Sequence, residues 1–168
     1  PENDKCKICI CTLRNKIGKQ RKILVEYNMK VLLGNETNRK IFNVQTNIID
    51  NCLLIKNGYS NNFSSEIMYV YSFSQDYENG NVDNKCSFDI SGINVLDGNI
   101  KIVKEIVIEP YEVKKVFFVQ GQEDNIDMIK DMIKKYSNCI SVQNSLESVK
   151  SYWDDLTEKI RVKTPVES

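Results

Sequence analysis

Apolar and polar residues alternate along most of the first 120 positions, the period of two that turns one strand face to a core and the other to water. The first run is Lys5 to Arg14, followed by a turn at Asn15-Lys16-Ile17-Gly18 and a longer run from Arg21 to Leu33 that Gly34-Asn35 ends. These two runs predict a hairpin. Lys40 to Ile48 and Leu53 to Lys56 form a second pair joined at Asp50-Asn51, and Glu66 to Phe73 alternates through Ile67, Tyr69, Tyr71 and Phe73. Gln75 to Asn84 (QDYENGNVDN) has the composition of a polar loop. Lys85 to Ile90 and Ile100 to Ile108 are strand-like on either side of a turn at Asp97-Gly98-Asn99. After another turn at Glu109-Pro110-Tyr111-Glu112, Val113 to Gln120 is expected to run antiparallel to Ile102 to Ile108. About eight strands with short connections predict an antiparallel β-sandwich.

The period changes after Gly121. In EDNIDMIKDMIKKY the residues Ile126, Ile129, Met132, Ile133 and Tyr136 fall on one helical stripe, with acids first and Lys134-Lys135 last, the order that the helix dipole favours. Ser141 is the expected cap of a second helix with the stripe Val142, Leu146, Val149, Trp153, Leu156 and Ile160. The organisation expected is a sandwich over 1–122, two helices over 123–162 packing on it or leading away from it, and an extended connector over 163–168.

Charge adds no partner class: 23 Lys+Arg balance 23 Asp+Glu, so no net field favours nucleic acid or an anionic membrane. No window approaches the roughly 20 apolar residues of a membrane span. The chain contains 0 His, which removes Ser-His-Asp and Cys-His nucleophile pairs and every histidine-containing metal site. It begins with Pro1 a few residues before a strongly patterned strand, which suggests a piece of a longer protein. Scattered single cysteines suit a reducing, cytoplasmic setting.

The densest candidate chemistry is KCKICICTL, with Cys6, Cys9 and Cys11. A zinc knuckle needs a turn between its thiolates, and this stretch has no turn-former. As a strand, Cys6 shares a face with Ile8 and Ile10, while Cys9 and Cys11 share the other with Leu13, so the Cys-x-x-Cys pair points opposite ways. Cys9 and Cys11 lie roughly 6.5–7 Å apart along the strand, too far for an unstrained disulfide. The reading is packing, with metal or thiol-redox chemistry the rival. Asp154-Asp155 beside Trp153 resembles a glycosidase acid pair next to a sugar-stacking ring, but adjacent helical residues diverge by about 100°. Trp153 is therefore expected in the core and the acids in solvent. The aromatics of YSNNF and MYVYSF suit a sugar groove or, at strand period, a core. GNETNRK and NGNVDN lack the spacing of a phosphate loop.

One resemblance spans nearly the whole chain. TLRN (Thr12 to Asn15), LVEYNMKVLLG (Leu24 to Gly34), NCLLIKNGYSNNF (Asn51 to Phe63), IEPYEVKKVFFVQGQ (Ile108 to Gln122) and SYWDDLTEKIRVKTP (Ser151 to Pro165) occur in that order. The series resembles the N-terminal β-sandwich of glycosyltransferase family 36, grouped with glycoside hydrolase family 94: cellobiose, cellodextrin and chitobiose phosphorylases and cyclic β-1,2-glucan synthases. Pro110-Tyr111-Glu112 stands where the family has Pro-Gly-Glu.

The resemblance implies a supersandwich-like domain, truncated at its N-terminus, whose catalytic partner is an (α/α)6 barrel further along the parent chain. The general acid and the phosphate site belong to that barrel, so no catalytic, cofactor or metal residue is expected here. The implied function is that of a non-catalytic part of a glycoside phosphorylase or glycosyltransferase acting on β-glucans, nearer the cyclic-glucan-synthase branch. The alternative is a free-standing carbohydrate-binding sandwich taking a β-glucan oligosaccharide. A strand edge left by missing neighbours would favour a homodimer.

Overall fold

A computed structural model describes residues 1, 3–31, 33, 44–58, 65–76, 80–91 and 98–159. Nine strands and two helices lie within them: β1 (Cys6–Arg14), β2 (Arg21–Lys30), β3 (Val44–Ile49), β4 (Cys52–Asn57), β5 (Ile67–Asp76), β6 (Val82–Asp83), β7 (Ser87–Ser91), β8 (Asn99–Ile108), β9 (Val113–Glu123), α1 (Ile126–Lys135) and α2 (Cys139–Glu158). The strands form two antiparallel sheets. The larger has the order β1-β9-β5-β4-β3 with β6 beside β5, and the smaller has the order β2-β8-β7. The protein is a mainly β sandwich with two C-terminal helices, as the alternation and the final stripes lead one to expect.

Two apolar layers hold it. Between the sheets, Leu53, Ile55, Val70, Val116 and Phe118 of the larger sheet meet Ile100, Ile102, Ile106 and Ile108 of the smaller. On the other face of the larger sheet, Leu54, Tyr69, Tyr71, Phe73, Phe117 and Val119 meet Ile129, Met132, Tyr136 and Val142 of the helical segment. Strand β5 feeds both layers, because successive side chains point to opposite faces and both faces are covered.

Strand pairing departs from expectation at both predicted partnerships across the sandwich. β1 does not form a hairpin with the run from Arg21; it pairs with β9, from Cys6 opposite Gly121 to Arg14 opposite Val113. β2 pairs instead with β8, from Arg21 opposite Ile108 to Lys30 opposite Asn99. β9 is therefore not the partner of β8, since it lies between β1 and β5 in the other sheet. In each case the chain crosses from one sheet to the other at a corner, and Asn15 ties both corners. Its backbone N–H donates to Glu112 O at 2.9 Å. Its side-chain amide donates to Lys19 O at 2.7 Å and Glu109 O at 2.9 Å. Alternation reports which face is buried, and strands on opposite sides of one core share that signal whether or not they pair.

The expected pair around Asp50-Asn51 is a true hairpin. Both turn residues are left-handed, with φ of 50° and 60°, the two-residue turn whose twist matches the strands. At the other corner Tyr111 is also left-handed, with φ of 64°, and the turn is closed by Glu112 N–H donating to Glu109 O at 3.2 Å. Smaller differences follow the hydrogen bonds. β2 ends at Lys30, before the expected Leu33. The polar segment from Gln75 is partly strand, because Gln75 pairs with Val82 and Ser74 with Asp83. Asn99 belongs to β8. Residues 40–43, 59–63, 97 and 160–168, on which further expectations fall, lie outside the described residues.

Asn125 caps α1 by accepting the N–H of Met128 at 2.9 Å, and α1 ends on Lys134 and Lys135 as expected. α2 starts three residues before the expected site. Asn138 is its cap, and Ser141, the expected cap, donates its own N–H to the Asn138 side chain at 2.9 Å. Among the described residues of the expected α2 stripe only Val142 is buried, while Leu146, Trp153 and Leu156 are exposed.

Candidate functional site

The cysteine strand divides as alternation requires. Cys6 and Ile8 pack into the layer beneath the helices, whereas Cys9, Cys11 and Leu13 pack into the layer between the sheets. All six cysteines are free thiols, and among the described residues no three Cys, Asp or Glu side chains gather as a metal site. Burial pushes the thiols of Cys6 and Cys86 up, and that of Cys52 up to about 12. A raised thiol holds its proton and is a poor nucleophile, so these three sites have the character of packing residues.

The carboxylate and aromatic candidates separate. Asp154 and Asp155 are exposed on successive positions of α2. Trp153, expected in the core, is 55% exposed and meets Tyr152 edge to face at 5.7 Å between ring centres. No described element covers that face of the helix, and an amphipathic stripe does not specify whether its cover lies within the same fold. Tyr69, Tyr71 and Phe73 are core, with Phe73 stacked on Phe117 at 4.5 Å.

Two polar clusters, one buried and one partly exposed, escaped the sequence reading. Lys104 is fully buried on the inner face of β8, where its ammonium donates to Asp83 O at 2.9 Å and Lys85 O at 2.7 Å and pairs with the Asp83 carboxylate at 3.1 Å. It pins the segment in which the chain leaves β6 for β7. The signal was in IKIVKEIVI, where Lys104 occupies the parity of Ile100, Ile102, Ile106 and Ile108. Near the N-terminus, Asp4 pairs with Lys135 at 2.7 Å and accepts a hydrogen bond from the Tyr136 hydroxyl. Burial raises the Asp4 carboxyl, but the bonds from Lys135 and Tyr136 outweigh it and leave the group below the usual carboxylate range. Both clusters bind chain to chain.

An open groove of about 280 Å³ lies between β1 and α2, walled by Ile8 and Ile10 on one side and Val142, Leu146 and Val149 on the other. Ile10 is 41% and Leu146 40% exposed. The groove offers shape and apolar contact rather than acid–base chemistry. No family model matches this chain, and no curated protein matches it. Among the described residues, no helix is long and apolar enough to cross a membrane.

Proposed function

We propose that this chain is a non-catalytic β-sandwich of a carbohydrate-active glycoside phosphorylase or glycosyltransferase, of the kind that family 36 and family 94 proteins place before their catalytic barrel. The observation that carries the reading is the turn at Glu109 to Glu112. Tyr111 takes the left-handed backbone that suits glycine, at the position where the resembled pattern has Pro-Gly-Glu. The chain order also supports the reading: a last strand containing VFFVQGQ, then two helices, the second containing SYWDDL. Of the charged residues discussed above, Lys104 and Asp83, and Asp4 and Lys135, tie chain segments together.

The reading predicts that the parent reading frame continues past Ser168 into an all-helical domain carrying an acidic catalytic residue. A stop codon shortly after Ser168 would refute it. Tyr152 and Trp153 give the binding-module alternative a specific test, because Trp153 is the sole tryptophan and is exposed. Saturable quenching of its fluorescence by β-1,2- or β-1,4-linked gluco-oligosaccharides, abolished by Trp153→Ala, would favour that alternative.

A further inference from the structure

β1 borders the larger sheet, and two backbone bonds reveal which of its residues face outward. Asn15 N–H donates to Glu112 O at 2.9 Å, and Gln122 N–H donates to Lys5 O at 3.2 Å. Extending the register of β1 against β9, these are bonded pairs on odd-numbered residues of the first strand. Bonded and non-bonded pairs alternate in an antiparallel ladder. Lys7, Cys9, Cys11 and Leu13 therefore bond to β9, and Cys6, Ile8, Ile10, Thr12 and Arg14 direct their N–H and C=O groups away from it. The outward N–H of Cys6 is already taken by Asp4 O at 2.7 Å. Among the described residues no strand pairs with the outward groups from Ile8 to Arg14.

This edge lacks the usual protection. Its nine residues, CKICICTLR, contain no proline, and no charge falls between Lys7 and Arg14. The side chains of Ile8 and Ile10 form one wall of the apolar groove, with Leu146 and Val149 opposite.

We propose that the β1 edge is a self-association site, where β1 of a second copy of this chain pairs antiparallel with it, Ile10 opposite Ile10, so that the larger sheet continues through a two-fold axis. That register uses the whole strand. It sets Ile8 opposite Thr12, Cys9 opposite Cys11, Lys7 opposite Leu13 and Cys6 opposite Arg14, with no like charges facing. It is isologous, so each copy satisfies the other's outward groups from Ile8 to Thr12 and brings Ile8 and Ile10 beside the groove of its partner. The apolar wall continues along α2 to the exposed Trp153 and Leu156. The inference does not depend on the carbohydrate reading.

The test is sedimentation velocity up to about 100 µM, where even a weak dimer is populated. Ile10→Pro removes the outward N–H, fixes φ near about −65° and takes the isoleucine side chain off the groove wall, but it removes no bond to β9, so circular dichroism should be little changed. Both symmetry-related Ile10 bonds are lost, and the dimer should weaken by about 5- to 150-fold. If Ile10→Pro does not fold, Leu146→Glu serves instead, placing a charge on the groove wall. Register is read by diamide oxidation, in which two thiols give up two electrons and two protons to the reagent. Cys9→Ser and Cys11→Ser chains should each fail to cross-link through this strand alone, and their mixture should cross-link Cys11 of the first to Cys9 of the second. A wild-type monomer at the highest concentration would overturn the proposal. So would a dimer that neither the Ile10→Pro nor the Leu146→Glu chain weakens.

Discussion

Replacing Lys104 by Met keeps the buried stem and removes only the ammonium. Two charge-assisted bonds to carbonyls are lost, each worth about 1.5–3 kcal/mol, and Asp83 O and Lys85 O lose their donor. Against this, the chain no longer holds a charge out of water, which recovers part of the loss. We expect a net destabilisation of about 1.5–3 kcal/mol, dominated by the stranded carbonyls. Asp83→Asn gives the contrast. The Asp83 side chain is 51% exposed, so its ion pair with Lys104 is screened, and its loss should cost about 1 kcal/mol or less. Equilibrium urea unfolding followed by far-UV circular dichroism measures both, with the slope checked to be constant. If Asp83→Asn costs as much as Lys104→Met, the carbonyl bonds are not what the lysine supplies and the reasoning fails. Acid titration adds a sign. Burial raises the Asp83 carboxyl, but the Lys85 N–H and the Lys104 ammonium lower it further, so its folded value lies below the unfolded one. Its contribution is therefore present above about pH 4 and is lost as pH falls through the folded value, a loss that Asp83→Asn should not show.

Gly121 lies opposite Tyr69, and a Cβ there would sit 2.5 Å from the Tyr69 hydroxyl oxygen and 2.8 Å from Lys5 O. Gly121→Ala should cost about 1–3 kcal/mol in urea unfolding. Tyr69→Phe should relieve part of that cost and by itself leave stability no lower, because this hydroxyl is buried without a well-formed hydrogen bond. Tyr111→Gly should raise stability by about 0.5–1 kcal/mol by relieving a left-handed tyrosine, and no increase in the urea midpoint would argue against strain at that turn. Asn15→Asp should destabilise more than Asn15→Ala at neutral pH, since it turns an acceptor toward Lys19 O and Glu109 O, and the reverse order would refute the corner's bonding. Asp4→Asn should remove part of the acid-induced loss below about pH 4, because the folded Asp4 carboxyl is lowered by Lys135 and Tyr136 despite burial.

The strands were legible because their side chains alternate against two cores, and the β3–β4 hairpin because Asp50-Asn51 suits its turn. Pairing across the corners was not legible, since β1 and β2 bury their inner faces in the same layer from opposite sheets and so carry the same pattern. The bonds made by Asn15 distinguish a corner from a hairpin, and those to Glu109 and Glu112 join residues more than ninety positions apart. Asn138 and Ser141 are both good caps by residue type, and only the direction of the bond between them decides. The opposite facing of Cys6 and Cys9 followed from period two alone. Trp153 was misplaced because a helical stripe reveals amphipathicity, not what covers it. Lys104 was readable as a polar residue at an inward position, but its partners lie 19 and 21 residues earlier in the sequence.

The position of β9 constrains how the protein is made. It is the last strand among the described residues, yet it lies inside the larger sheet, bonded to the first strand on one side and to β5 on the other. During synthesis β1 has no place in that sheet until Val113–Glu123 has emerged, whereas the β3–β4 hairpin can close at once from local contacts. The nascent chain thus carries an unpaired CKICIC strand until Val113–Glu123 has been made. A pause or truncation before Val113 would release β1 with both of its edges open, a species prone to aggregate.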